Sequence, residues 1–131
     1  MNRFLVSICF GLVFGALGSA TFGQAPTRIN FNRGATSAVV YGKLSGYRDH
    51  KTFVIRVRRG QKLTTESIGK NYITVDVTAP KGSTYEPDLA ADCHDKHEVN
   101  PTAAGDYIIQ VTECRKADRW RGTFSLRVRV R

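Results

Sequence analysis

"FSLRVRVR", residues 124–131, alternates throughout: Phe124, Leu126, Val128 and Val130 share one side, and Ser125, Arg127, Arg129 and Arg131 share the other. Residues two apart lie on one face of an extended chain, so this segment reads as a half-buried strand with its apolar row inward. Outward charges on a terminal strand commonly protect a sheet edge, and the three arginines are read in that role.

Working back along the chain, Phe53, Ile55 and Val57 alternate with Thr52, Arg56 and Arg58, with Val54 the one apolar residue on the polar side. Across 27–32, Ile29 and Phe31 alternate with Arg28, Asn30 and Asn32. Segments 37–44, 62–68, 72–78 and 106–112 complete the candidate strands. Turn-forming groups separate them: Arg59-Gly60, Gly69-Lys70-Asn71, Pro80-Lys81-Gly82 and Ala104-Gly105-Asp106. No stretch keeps a helical period over three turns. The pattern predicts an all-β chain, a single small antiparallel β-sandwich of about seven or eight strands, with a small β-barrel as the alternative. Segment 83–101, with Tyr85, Pro87, scattered acids and a Cys-His cluster, breaks the rhythm. It reads as a long loop holding at most one helical turn.

The first residues set the compartment. Arg3 precedes an apolar run over 4–17, and small residues follow in Gly18-Ser19-Ala20 and Thr21-Phe22-Gly23. A positive start, a short apolar stretch and a small-residue cut describe an export signal, whereas a spanning helix needs about 20 apolar residues. Cleavage is expected after Ala20 or Gly23, giving a signal peptide at 1–23 and a domain at 24–131. No second apolar segment follows, so no membrane insertion is expected after cleavage. Losing Arg3 reduces the formal net charge of +9 to about +8, a balance that favours an anionic partner. Nucleic acid is an improbable one for an exported chain, which leaves acidic clefts and the anionic cell envelope.

Once Cys9 leaves with the signal, Cys93 and Cys114 remain, and an exported domain with two cysteines most simply joins them. Cys93, His94 and His97 have a spacing compatible with metal, but a fixed fourth ligand is lacking and Cys114 competes. The disulfide is therefore expected, with no metal and no cofactor. Catalytic motifs are missing as well: there is no Gly-x-Ser-x-Gly elbow, His-Glu-x-x-His or phosphate-cradling loop, and His50, His94 and His97 read as surface histidines. A binding protein is expected, not an enzyme.

The binding candidate is "ECRKADRWRG", residues 113–122, which holds three arginines, Lys116 and the only tryptophan, Trp120. Arg115 and Arg119 stand four apart, so one helical turn would put them on one face. Lys116 and Arg121 widen the positive field, and Asp118 can pair with one of these cations. Trp120 either caps the sandwich or stands at a contact surface. An arginine fork donates two parallel hydrogen bonds to a carboxylate.

Four stretches carry a resemblance: "INFNRGATSAVVYGKLSGYRDHKTFVIRVRRGQKL" (29–63), "AAGDYIIQV" (103–111), "CRKADRWRG" (114–122) and the closing "FSLRVRVR". In these the chain resembles the periplasmic inhibitors of goose-type (g-type) lysozyme, themselves similar to bacterial pre-peptidase C-terminal β-sandwich modules. The Gly46-Tyr47 turn and the Arg-x-x-x-Arg loop are its more specific parts. The resemblance implies a periplasmic inhibitor that blocks the enzyme's acidic substrate cleft with Tyr47, Arg115 and Arg119; Lys116, Trp120 and Arg121, from the same loop, are candidate additional contacts. Segment 83–101 and the cysteine pair depart from the family pattern. A second reading is a non-catalytic module that binds anionic envelope glycan or lipopolysaccharide through its general basic surface.

Overall fold

The computed structural model describes residues 24–87, 93 and 96–131; the expected signal peptide at 1–23 and His94 lie outside these. Among the described residues there are eight strands: β1 (Thr27–Arg28), β2 (Ser37–Leu44), β3 (His50–Val57), β4 (Leu63–Ser67), β5 (Ile73–Thr78), β6 (Lys96–Val99), β7 (Gly105–Glu113) and β8 (Gly122–Val130). One sheet has the order β1-β3-β7-β5 and the other β2-β8-β4-β6. The sheets stay separate, so the fold is the all-β sandwich and not the barrel. All pairings are antiparallel except β1 with β3, which is parallel.

The alternation seen in the sequence becomes the core. Phe53, Ile55 and Val57 from β3, Val75 and Val77 from β5, and Ile109 and Val111 from β7 meet Leu44, Leu63, Leu126 and Val128 from the opposing sheet, all buried. Burying each such side chain stabilises the fold by about 1.5–3 kcal/mol. Phe53 and Phe124 meet edge to face, with ring centroids 6.3 Å apart and planes at 84°, an arrangement aromatic pairs prefer. Gly42 lies opposite Phe124 in the β2–β8 register, and a Cβ there would run into the phenylalanine ring.

Three expectations are corrected. β8 lies between β2 and β4, so Arg127, Arg129 and Arg131 do not guard an edge. Period-two alternation reports which face is buried but not which strands lie alongside; Arg127 instead pairs with Glu66 on β4 at 3.5 Å. The segment 27–32 gives only a two-residue strand, although Ile29 is buried and Phe31 packs against the core as the alternation predicts. Within 83–101, where a loop was expected, Lys96–Val99 forms a strand on the outer side of β4. Its length and its two charged residues gave no strand signal, and the open edge of β4 supplies the pairing.

The sheet orders have a consequence for the loops. Odd-numbered strands all lie in one sheet and even-numbered strands in the other. Every connection therefore crosses from sheet to sheet at one pole or the other. Leu44 pairs with Gly122 and His50 with Thr112, which sets the β2–β3 turn beside the β7–β8 loop. Ser67 pairs with Leu126 and Ile73 with Glu113, which brings the β4–β5 turn to the same pole.

Candidate functional site

The pole formed by 45–49, 68–72 and 114–121 holds most of the residues singled out from the sequence. The β2–β3 turn is built to hold Tyr47. Gly46 has φ of +146°, a conformation that side-chain-bearing residues rarely adopt. The Asp49 amide donates to the Gly46 carbonyl at 3.0 Å. Its carboxylate accepts from both the amide and the hydroxyl of Ser45, each at 3.0 Å. Partial burial on its own raises the pKa of this carboxylate. The two Ser45 hydrogen bonds, the charge of Lys51 and the His50 amide outweigh that and hold it below the ordinary aspartate value.

Tyr47 is half-buried, and its hydroxyl donates to the carbonyl of Ala117 in the β7–β8 loop at 3.1 Å. The guanidinium carbon of Arg119 stands 5.0 Å from the centre of the same ring, within range of a cation–π contact. One tyrosine thus holds the loop backbone at one end of its ring and an arginine over its face.

The loop is fastened from below by a single carbonyl. Tyr72 oxygen accepts the Cys114 amide at 3.1 Å and the Trp120 indole N–H at 2.9 Å, so both ends of the loop bind the same group. Trp120 is half-buried and packs against the core, and it also borders the surface concavity beside Tyr47. Cys114, fully buried, is joined to Cys93 with their Cα atoms 4.8 Å apart. That bond occupies Cys93, and among the described residues no group of three His, Cys, Asp or Glu could hold a metal.

Arg115, Lys116 and Arg121 are exposed. The expected helical turn linking Arg115 to Arg119 is not formed: 115–117 make a tight turn and 118–121 run irregularly, because both loop ends are pinned to Tyr72. Asp118 enters no ion pair among the described residues. His97, read as a surface residue, is half-buried with its Nδ1 3.4 Å from the Tyr85 hydroxyl.

Sequence reasoning missed Glu113. It is 1% exposed, and neither carboxyl oxygen has a hydrogen-bond partner. It lines a concavity of about 490 Å³ with Tyr47, Arg48, Arg119, Trp120 and Arg121. A signal was present: Tyr107, Ile109, Val111 and Glu113 form one inward row at period two, so the glutamate occupies a core-facing position.

No protein-family model matches the chain, and no curated protein matches its sequence. Solved structures do match. A periplasmic inhibitor of g-type lysozyme from Aeromonas hydrophila is 24% identical with a TM-score of 0.65, over 81% of this chain and 96% of the other. The corresponding inhibitor from Salmonella Typhimurium is 18% identical with a TM-score of 0.61, over 81% and 97%. The pre-peptidase C-terminal domain of a Bacillus anthracis collagenase is 16% identical with a TM-score of 0.51, over 83% and 97%. Both kinds of protein resembled in sequence thus share this fold.

Proposed function

We propose that this chain is a periplasmic, non-catalytic inhibitor of g-type lysozyme that places Tyr47, Arg119 and Arg115 in the enzyme's substrate cleft. One observation carries the reading: two loops 70 residues apart meet so that Tyr47 bonds Ala117 and carries Arg119 over its ring. Two of the structures that share the fold are inhibitors of this enzyme class, which supports the same reading.

The chemistry follows from what a glycosidase needs. Its cleft works with carboxyl groups, one of which protonates the leaving oxygen. A guanidinium paired with that group holds it ionised, and an ionised group has no proton to give. The tyrosine ring and the loop backbone would fill the space required by the sugar. Lys116 and Arg121 add positive field at the rim, and Trp120, fixed by Tyr72, keeps the loop in its bound shape. A pre-formed loop loses less conformational freedom on binding, which favours affinity.

Titration of the purified domain into g-type lysozyme acting on cell-wall suspensions tests the proposal. Near-stoichiometric inhibition at low salt is expected, weakening as ionic strength rises and the screening length falls below about 10 Å. Undiminished lysis at any inhibitor concentration would remove the proposal.

The Tyr47 turn gives a second test. Asp49 has a depressed pKa, so its contribution to turn order is present above the unfolded aspartate value, about 3.9. It is lost as pH falls through the lower folded value. At pH 7 the full contribution is present, and Asp49→Ala is expected to weaken inhibition about three- to tenfold, the effect of losing the Ser45 hydrogen bonds. An Asp49→Ala protein that inhibits like the parent would show that the turn does not position Tyr47.

A further inference from the structure

We propose that the concavity floored by Glu113 is a binding site for an uncharged sugar ring. A buried polar group without a partner is costly, about 1–3 kcal/mol for each unsatisfied group. Both oxygens of the Glu113 carboxyl are in that state, in a side chain 1% exposed. The residue lines the concavity, and a small shift of its side chain would bring the carboxyl oxygens to a ligand's donors.

The lining restricts what that ligand is. Arg48, Arg119 and Arg121 line it and are exposed, and three guanidinium groups repel a cation on its way in. A carboxyl group on the floor offers only poor company to a carboxylate or phosphate pressed against it. What remains is an uncharged molecule with hydrogen-bond donors at one end and oxygen acceptors at the other. Its hydroxyl or amide groups would donate to Glu113, and its outer oxygens would accept from the arginines. Tyr47 and Trp120 supply apolar ring surface at the sides, suited to the C–H faces of a pyranose. The volume, about 490 Å³, lies in the range of small-molecule sites, roughly 300–1,000 Å³, and exceeds what one inserted protein side chain would fill.

This inference does not rest on the inhibitor reading, and its test contains no enzyme. Trp120 is the only tryptophan in the chain, so tryptophan emission, excited selectively over tyrosine, reports from the wall of the site alone. Tri-N-acetylchitotriose, a neutral acetamido sugar, is titrated against the intact domain. A saturable change in Trp120 emission is expected, with a dissociation constant of about 1 mM or tighter. Glu113→Leu, which keeps the bulk and removes the acceptors, should weaken binding at least about tenfold. Glu113→Gln, with one acceptor retained, should fall between. Thermal melting verifies that both variants are folded, and amide shifts in the parent, clustered on 46–48, 113 and 119–121, locate the site without any substitution. No Trp120 response up to about 10 mM sugar would overturn the proposal. So would an undiminished response in folded Glu113→Leu, or a response to ethylguanidinium in place of the sugar.

Discussion

Replacing Arg119 by alanine is expected to raise the inhibition constant against g-type lysozyme by about 100-fold or more, the loss typical of an arginine hot spot at the centre of an interface. The expectation that this arginine outranks its neighbours rests on its geometry. Its guanidinium lies 5.0 Å from the Tyr47 ring centre, so a cation on a flexible stem is already held in one place. Arg115, Lys116 and Arg121 stand exposed with no comparable support, and each alone should count for less. Exposed and unsupported charges contribute about 0–1 kcal/mol when paired. Arg119→Lys should not restore inhibition, because an ammonium lacks the planar two-donor fork. Steady-state inhibition with all three proteins checks this, with circular dichroism to verify the fold. Arg119→Ala inhibition equal to the parent's would place the contact elsewhere.

The second large effect concerns stability. Reducing the Cys93–Cys114 bond, or replacing both cysteines by alanine, is expected to cost about 3 kcal/mol of unfolding free energy. The bridge closes a loop across a sequence separation of 21, and ring closure of that size restricts the unfolded chain by about this amount. Small domains are stable by only about 5–15 kcal/mol in total, so the change is a large fraction. The melting temperature should fall by roughly 10–20 °C. Denaturant titration with and without reductant measures it, and an unchanged midpoint would show that the packing around buried Cys114 holds the pole unaided. Inhibition by the reduced protein, where still folded, should weaken as well. Cys114 directly precedes Arg115, and a looser loop must be ordered again on binding.

Much of the fold was legible because the apolar rows keep strict period two. β3, β7 and β8 were visible in Phe53-Ile55-Val57, in the 106–112 run and in Phe124-Leu126-Val128-Val130, and these strands form the middle of the two sheets. The elements that were missed or shortened depend on neighbours. β6 gains its strand by pairing with β4, and β1 takes two residues from the edge of β3. Neither pairing leaves a mark in local sequence. The edge role given to Arg127, Arg129 and Arg131 failed for the same reason.

The candidate site was partly legible. Tyr47 was named through a resemblance and Arg119 first through its loop, and the strand registers account for their meeting: Leu44 opposite Gly122 and His50 opposite Thr112 leave the two loops no separate place. Helical spacing was the wrong guide to Arg115, since Tyr72 draws both ends of the loop to one carbonyl. Glu113 was hidden by its charge. A glutamate at the end of an apolar row reads as the point where the strand leaves the core, yet β7 runs through it and keeps it inside.

The most direct measurement is a parallel inhibition assay against goose-, chicken- and invertebrate-type lysozymes. It compares the parent domain with the Arg115→Ala/Arg119→Ala double variant. The account predicts that the parent arrests the goose-type enzyme at near-equimolar ratio and that the folded double variant leaves it active. A goose-type enzyme that the parent leaves fully active would contradict it, as would a folded double variant that inhibits as well as the parent.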